Sequence, residues 1–185
     1  MKFLRFFLIL FISLTSSVKA DFNKKLFNQL GDGEKLIFIR HAYAPGSGDP
    51  SNFNLNDCST QRNLNIDGRK QAKVIGEFFR ENKIKIYKVL SSEWCRCKET
   101  ANIAFQDFST NSFLNSFYSS KYAKNKDKQV EALNNYIKQF KSNKNLIFVT
   151  HYVLISEVLN YGPSSGEIVV SDKNFNIVGT IKIDY

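Results

Sequence analysis

The sequence contains few histidines and few cysteines, two of the first and three of the second in 185 residues. Protein zinc sites need several such ligands at characteristic spacings. The pair Cys95 and Cys97, the distant Cys58 and two separate histidines do not have those spacings. The scarcity of both residue types therefore argues against a zinc site.

The sequence also lacks an apolar run long enough to span a bilayer comfortably. The short run Phe6–Leu14 follows the cations Lys2 and Arg5 and precedes the small residues of Val18–Ala20. This pattern is typical of a secretory signal peptide, so we predict one over residues 1–20, with Asp21 as the mature start. No cysteine lies near this cleavage site, which argues against a lipoprotein. We therefore expect one exported, periplasmic domain over residues 21–185, without stable membrane insertion after cleavage.

Three cysteines in an exported protein predict one disulfide and one remaining thiol, because exported proteins meet oxidising conditions. Cys95 and Cys97 are too close in sequence to pair easily with each other within a helix. We therefore expect Cys58 to pair with either Cys95 or Cys97, and both pairings stay open.

The positive charge of the chain indicates an anionic ligand rather than nucleic acid. Removal of Lys2, Arg5 and Lys19 with the signal peptide lowers the formal net charge from +9 to +6. Most of the remaining lysines are scattered among asparagines and are expected to be solvated, and no basic face with interleaved aromatic residues is evident. A small anionic substrate suits this positive field.

Two near-identical apolar runs each end in a histidine. They are Leu36–Ile39, which is followed by Arg40 and His41, and Leu146–Val149, which is followed by Thr150 and His151. Continuous apolar runs of this length are typical of strands that are buried on both faces in a parallel sheet. Ligands bind beyond the carboxyl ends of such strands. If the two strands are neighbours, both histidines lie at one site.

The remaining pattern alternates strands with helices and predicts an α/β fold. A long polar loop follows the first histidine, and Asn65 is expected to cap the helix after it. Ser91 or Ser92 is expected to cap the next helix, and a loop with aromatic residues is predicted over 106–125. The remaining predictions are a polar lead-in at 21–35, a strand at 86–90, helices at 93–105, near 130–140 and at 153–159, and a closing hairpin at 167–170 and 176–183.

Arginines accompany the histidines at the predicted strand ends. Arg40 precedes His41, and Arg96 falls in the first turn of a predicted helix, where backbone N–H groups and the helix dipole favour an anion. Guanidinium groups match phosphate oxygens in a bidentate manner. Together with His151, these residues predict a phosphate pocket.

Four segments of the chain resemble the motifs of the histidine phosphatase superfamily, in the same order. Leu36–Ala42 resembles the motif that contains Arg-His-Gly or Arg-His-Ala, and Leu64–Ala72 resembles the L-T-x-x-G-x-x-Q-A helix start. Ser91–Ala101 resembles S-S-x-x-x-R-x-x-x-T-A, and Phe148–Tyr152 resembles the second-histidine motif. The resemblance covers roughly residues 35–160. It implies a phosphoglycerate mutase-like, three-layer α/β sandwich with a mostly parallel central sheet.

The resemblance also implies a reaction and a role for each site residue. His41 would attack phosphorus and form a phosphohistidine, which water then hydrolyses. Arg40, Arg96 and His151 would neutralise the transferring oxygens. Arg62 would contribute a further phosphate contact or stabilise the loop. This chemistry requires no metal and no cofactor, and the expected partner is a small phosphorylated substrate.

Three positions depart from the family pattern. Glu93 replaces a proline after the two serines, and Tyr152 replaces a glycine after the second histidine. Many members carry a general-acid glutamate where this chain has Asn115. Asp49 and Asp57, in the loop beside the predicted site, are therefore the candidate proton donors.

Two hypotheses about function follow. The favoured one is an exported phosphohydrolase that acts on a phosphate monoester or a related group. The alternative is a non-catalytic phospholigand-binding module of the same fold, against which the intact Arg40–His41 pair argues. The loop from Tyr43 to Asn63 is expected to act as a substrate-selecting lid, and the alternative is an ordinary surface loop.

Overall fold

The computed structural model describes residues 24–184. The predicted signal peptide over 1–20 and the predicted start at Asp21 lie outside these residues. Among the helices that the structure describes, none is long and apolar enough to cross a membrane.

A single mixed sheet forms the centre of the molecule. The strand order is β3-β2-β4-β1-β5-β6. The neighbours β3, β2, β4 and β1 are parallel, whereas β5 runs antiparallel to both β1 and β6. The strands are β1 (Leu36–Arg40), β2 (Ile86–Ser91), β3 (Ser109–Thr110), β4 (Asn145–Thr150), β5 (Ile168–Ser171) and β6 (Ile177–Ile181).

The two histidine-bearing runs are neighbouring strands, which is the condition under which both histidines lie at one site. β1 and β4 pair in parallel, with Leu36 opposite Leu146 and Arg40 opposite Thr150. Because the strands are in this register, both histidines follow the sheet at the same edge. The strand pairing therefore meets the condition that the sequence analysis set for a shared site.

Helices cover both faces of the sheet and complete the three-layer sandwich. Alternate residues of a strand point to opposite faces. Ile37 and Ile39 join a core with α1, α2 and α3, whereas Leu36 and Phe38 join a second core with α5 and α6. The helices are α1 (residues 24–32), α2 (Ile66–Glu81), α3 (Cys95–Phe105), α4 (Ser120–Ala123), α5 (Lys126–Gln139) and α6 (Tyr152–Leu159), with 3-10 turns at Cys58–Thr60 and Ser112–Leu114.

Several local predictions were wrong. The polar lead-in contains α1, which is held by the burial of Leu26 and Leu30 against the sheet. The predicted loop over 106–125 contains β3, a 3-10 turn and α4. Neither Ser91 nor Ser92 is the N-cap of α3. Its N-cap is Trp94, and Ser91 is the last residue of β2. The predicted cap of α2 is correct, since Asn65 Oδ1 accepts a hydrogen bond from the Gly68 amide at 2.8 Å.

A disulfide joins the long loop to the start of α3. Cys58 pairs with Cys95, and the third cysteine, Cys97, is a buried free thiol. The bridge closes a segment with a sequence separation of 37 residues. It therefore restrains the loop next to the helical turn that carries Arg96.

Loss of this disulfide is expected to destabilise the protein. The chain-entropy model predicts a decrease of about 3–4 kcal/mol in the free energy of unfolding for a closed segment of this length. Urea unfolding of Cys58→Ala/Cys95→Ala beside the oxidised parent measures the decrease, and peptide mapping without reductant identifies the pair. Three free thiols in protein purified without reductant would contradict the bridge.

Candidate active site

His41 is buried directly after β1 with one ring nitrogen free of a proton. Its Nδ1 lies 2.8 Å from the Ala42 carbonyl oxygen, which can only accept, so Nδ1 carries the proton. Nε2 then presents its lone pair and accepts from Arg96 Nε at 3.2 Å. Burial, followed by the positive charge of Arg96, lowers the pKa of His41 well below 6.5. The imidazole is therefore neutral near pH 7, in the form that a nucleophile requires.

His151 occupies the equivalent position after β4. The two imidazole centroids are 5.6 Å apart, and both rings are buried. His151 Nδ1 lies 3.5 Å from Arg96, and Nε2 lies 2.9 Å from the Ser92 hydroxyl. Burial, and then the charge of Arg96, lower the pKa of His151 well below 6.5. Both histidines are thus neutral in this site.

Arg96 is the centre of the hydrogen-bond network. The edge formed by Nε and Nη2 faces the two histidines, at 3.2 Å from His41 and 3.5 Å from His151. At the other end, Nη1 donates to Asp49 Oδ1 at 2.7 Å and Nη2 donates to Asp49 Oδ2 at 3.3 Å. Nη1 also donates to the Arg62 carbonyl at 3.4 Å. A phosphoryl group between the histidines would therefore meet the side edge of the guanidinium, while Asp49 holds its end.

The two candidate proton donors occupy different environments. Asp49 lines the cavity, where it accepts from Arg96, from Trp94 Nε1 at 3.0 Å and from the Arg62 amide at 3.1 Å. Burial alone raises the pKa of Asp49, but the charge and hydrogen bonds of Arg96 and the other two donors lower it overall. Asp57 lies outside the cavity lining and caps the 3-10 turn by accepting from Ser59 at 2.9 Å. The structure thus separates Asp57 from the site and leaves Asp49 ionised.

Arg40 and Arg62 complete the basic wall of the cavity. Arg40 Nη1 donates to the Pro163 carbonyl at 2.9 Å, and its Nε is buried without an acceptor among the residues that the structure describes. Arg62 donates through Nε to the Gly48 carbonyl at 2.8 Å and through Nη1 to the Ala44 carbonyl. Arg62 therefore organises the loop while it lines the cavity, whereas Arg40 keeps a buried N–H for an anion.

These side chains line a cavity of about 660 Å³. An aromatic cluster forms one wall, in which Phe53 stacks on Trp94 at 5.0 Å and Tyr122 meets both rings edge-on. The loop also contributes Gly46–Ser51 to the lining, in keeping with its predicted place over the site. The sequence prediction missed the aromatic wall, although the aromatic residues noted between 106 and 125 were a signal for it.

The donors that line this cavity are those that suit an anion rather than a metal ion. Among residues 24–184, no group of three or more histidine, cysteine, aspartate or glutamate side chains is placed to hold a metal ion. The lining instead brings together Arg40, Arg62 and Arg96 with the two histidines. Guanidinium N–H groups match the oxygens of a phosphate.

Comparisons with known proteins agree with this architecture. Residues 36–114 match the histidine phosphatase superfamily, branch 1. No curated protein matches the sequence significantly. Among solved structures, SixA from Agrobacterium tumefaciens, a proposed phosphohistidine phosphatase, is 15% identical, with 80% of this chain and 98% of that chain covered and a TM-score of 0.56.

Two further structures show the same fold. Phosphoglycerate mutase from Thermus thermophilus is 14% identical, with 81% and 99% of the two chains covered and a TM-score of 0.56. A protein histidine phosphatase SixA complexed with tungstate is 13% identical, with 82% and 94% covered and a TM-score of 0.51. At these identities, the structural likeness defines the fold rather than the substrate.

The fold is a phosphoglycerate mutase-like α/β sandwich, with the paired histidines at one edge of its sheet. Over residues 36–114 the chain is similar to the histidine phosphatase superfamily, branch 1, as the sequence motifs predicted. This match supports a phosphatase-type enzyme.

Proposed function

We propose that the protein is a phosphohydrolase that forms a phosphohistidine on His41. The observation that carries the proposal is the state of this ring: its Nδ1 proton is held by the Ala42 carbonyl, and its Nε2 lone pair faces Arg96. Nε2 would attack phosphorus while the leaving oxygen departs on the opposite side. Arg96 and Arg40 would stabilise the charge on the transferring oxygens. Water would then attack the phosphohistidine and release phosphate.

The proton donor bears on the class of substrate. Asn115 cannot donate a proton as a carboxylic acid does, and Asp49 is ionised through its contact with Arg96. A site without a carboxylic acid favours leaving groups that depart without protonation. We therefore propose substrates with a good leaving group, such as aryl phosphates, over alkyl phosphates.

We also propose that the protein acts after export, in the periplasm. The predicted signal peptide and the Cys58–Cys95 disulfide support this location, because structural disulfides persist in oxidising compartments. Mass spectrometry of the periplasmic fraction tests the proposal through the mature start at Asp21. Retention of residues 1–20 on a cytoplasmic protein would contradict it.

The experiment that tests the phosphatase proposal is a search for the covalent intermediate. Purified protein is mixed with a ³²P-labelled aryl phosphate, quenched and mapped by peptide mass spectrometry. Acid-labile, base-stable phosphate on His41 is expected. Stoichiometric binding of phosphate or tungstate without any turnover or labelling would favour the phospholigand-binding module instead.

Replacement of Asp49 distinguishes a positioning role from a proton-donor role. Asp49→Asn weakens the hydrogen bonds that Arg96 Nη1 and Nη2 donate to residue 49. Because Asp49 orients Arg96, kcat/KM should fall about tenfold for aryl and alkyl phosphates alike, as for other residues that orient a site group through hydrogen bonds. Asp57→Asn, at the exposed cap, is the matched control and should leave both rates unchanged. A loss confined to alkyl phosphates in Asp49→Asn would identify it as the acid.

The pH dependence of kcat/KM should report the neutral state of His41. The reactive form is the unprotonated imidazole, and its pKa in the folded protein lies well below 6.5. Activity is therefore expected to be retained at pH 6.5 and to fall only at lower pH, as Nε2 becomes protonated. The measurement is a pH profile corrected for ionisation of the substrate, and an acid limb centred above pH 6.5 would contradict the assignment.

A further inference from the structure

The Asn115 side chain has a fixed amide orientation. Its Oδ1 lies 2.9 Å from the backbone N–H of Glu93 and 3.0 Å from the Ser92 hydroxyl, while Nδ2 faces the Glu93 carboxylate. A backbone N–H can only donate, so its partner at 2.9 Å must be the oxygen of the side-chain amide. A flipped amide would place donor against donor. The oxygen of Asn115 therefore faces Ser92.

This orientation determines where the Ser92 proton points. The hydroxyl has one proton, and Asn115 Oδ1 can only accept, so the proton lies between these two oxygens. The Trp94 amide donates to the same hydroxyl at 3.3 Å. Only a lone pair of Ser92 then remains for His151 Nε2 at 2.9 Å. Nε2 must therefore carry a proton.

The other neighbours of His151 agree with this assignment. Burial raises the pKa of the Cys97 thiol to about 12, so the thiol keeps its proton, which it donates to the Thr150 carbonyl at 3.7 Å. Its sulfur, 3.5 Å from His151 Nε2, presents lone pairs there. At the other ring nitrogen, Arg96 Nη2 donates toward Nδ1 at 3.5 Å. A neutral ring with a proton on Nε2 satisfies all of these contacts.

We propose that Asn115 and Ser92 are positioning residues that hold His151 in the Nε2–H tautomer, opposite to the Nδ1–H tautomer of His41. These hydrogen bonds from Asn115 through Ser92 to His151, here called the relay, direct the Nδ1 lone pair of His151 to the side edge of Arg96. In the proposed function, the phosphoryl group binds at this edge. In the resting site His151 thus accepts a hydrogen bond from Arg96 through Nδ1 and donates one to Ser92 through Nε2. The proposal rests on the proposed function for its purpose, whereas the tautomer itself is measurable without turnover.

The relay also explains why two departures from the family pattern occur together. Glu93 provides both a backbone N–H and a carboxylate to the amide of Asn115. A proline at position 93 would lack the N–H. Glu93 replaces a proline and Asn115 replaces an acid. The two replacements therefore belong together, because the two new residues hydrogen-bond to each other.

The test is ¹⁵N NMR of histidine-labelled protein, which has only two imidazoles to assign. One ring of each neutral tautomer is expected, with His151 protonated on Nε2. Asn115→Ala frees the Ser92 proton to donate to Nε2 at 2.9 Å, against the longer contact of Arg96 with Nδ1 at 3.5 Å, so part of the His151 population should move its proton to Nδ1 while His41 stays unchanged. Asn115→Asp keeps an acceptor for Ser92 and should retain the original tautomer.

Gln129→Ala is the matched control. Gln129 Nε2 donates to the backbone carbonyl of Asn115 at 2.9 Å and so holds the same segment without a hydrogen bond to the side-chain amide. It should leave both tautomers unchanged. If Asn115→Ala does not fold, Ser92→Ala provides the second test and should give mixed tautomers of His151. The same tautomer on both rings, or an unchanged His151 in Asn115→Ala, would overturn the proposal. An inactive protein with opposite tautomers would retain it and contradict only the phosphatase function.

Discussion

Replacement of His41 with alanine is expected to reduce kcat/KM for aryl phosphates by roughly three orders of magnitude or more, the effect of removing a covalent nucleophile. Among the side chains described at this site, the ring is the only group that presents a lone pair between Arg96 and the cavity while its other nitrogen is fixed by a carbonyl. Steady-state kinetics with wild-type and variant protein measure the fall. No label should remain on the variant after a denaturing quench at alkaline pH, at which the phosphohistidine of the wild type is stable.

The control for this experiment must separate lost chemistry from lost structure. Circular dichroism and the intact Cys58–Cys95 disulfide report the fold of the variant. His41→Gly supplied with free imidazole offers a second arm, since added imidazole can occupy the vacated space and restore part of the turnover. Turnover by His41→Ala within threefold of wild type would mean that His41 is not the nucleophile.

Replacement of Arg96 with lysine is expected to lower kcat/KM about a hundredfold or more, as does the loss of a donor that stabilises a developing oxyanion. Lysine keeps the charge but cannot face both histidines with one edge and grip Asp49 with the other. The loss should be similar for aryl and alkyl phosphates, because the clamp acts on the transferred group. Kinetics with both substrates measure this.

Arg69→Lys is the matched control for the change at Arg96. Arg69 lies in α2 and pairs with Glu99 of α3 at 2.6 Å, with its side chain half exposed. It should stay close to wild type, whereas Arg40→Lys should also lose activity through the buried Nε. If Arg96→Lys and Arg40→Lys both remain within threefold, a difference of only about 0.7 kcal/mol, the two arginines do not clamp phosphate.

The central sheet was predictable from sequence because its strands are buried on both faces. Leu36–Ile39 and Leu146–Val149 are continuous apolar runs, and helices must cover a sheet of that kind. Helix α1 was missed because Leu26 and Leu30 stand among polar residues and bury only in the folded structure. Strand β3 has two residues and no side-chain pattern, since it is defined by backbone pairing with β2.

The site was predictable where a residue follows an element end and not where it depends on a loop. His41, His151 and Arg96 meet because β1 and β4 are neighbours and α3 follows β2. The different environments of Asp49 and Asp57 could not be derived from sequence, because both lie in the same polar loop. Only the folded chain shows that Asp49 turns toward Arg96 while Asp57 caps a surface turn.

The N–H groups of Arg96 that face the site already have hydrogen-bond acceptors, so a ligand that binds Arg96 must replace one of them. The side edge of Arg96 already faces two neutral imidazole acceptors, and its end already faces a carboxylate. A neutral ligand would replace one uncharged acceptor with another and gain little. A phosphoryl anion replaces them with an acceptor of opposite charge, so that the hydrogen bonds of the guanidinium become ionic on both sides and can form in bidentate geometry. The charge of a ligand should therefore affect its affinity for this cavity more than its shape does. Uncharged mimics of the substrate should be poor inhibitors.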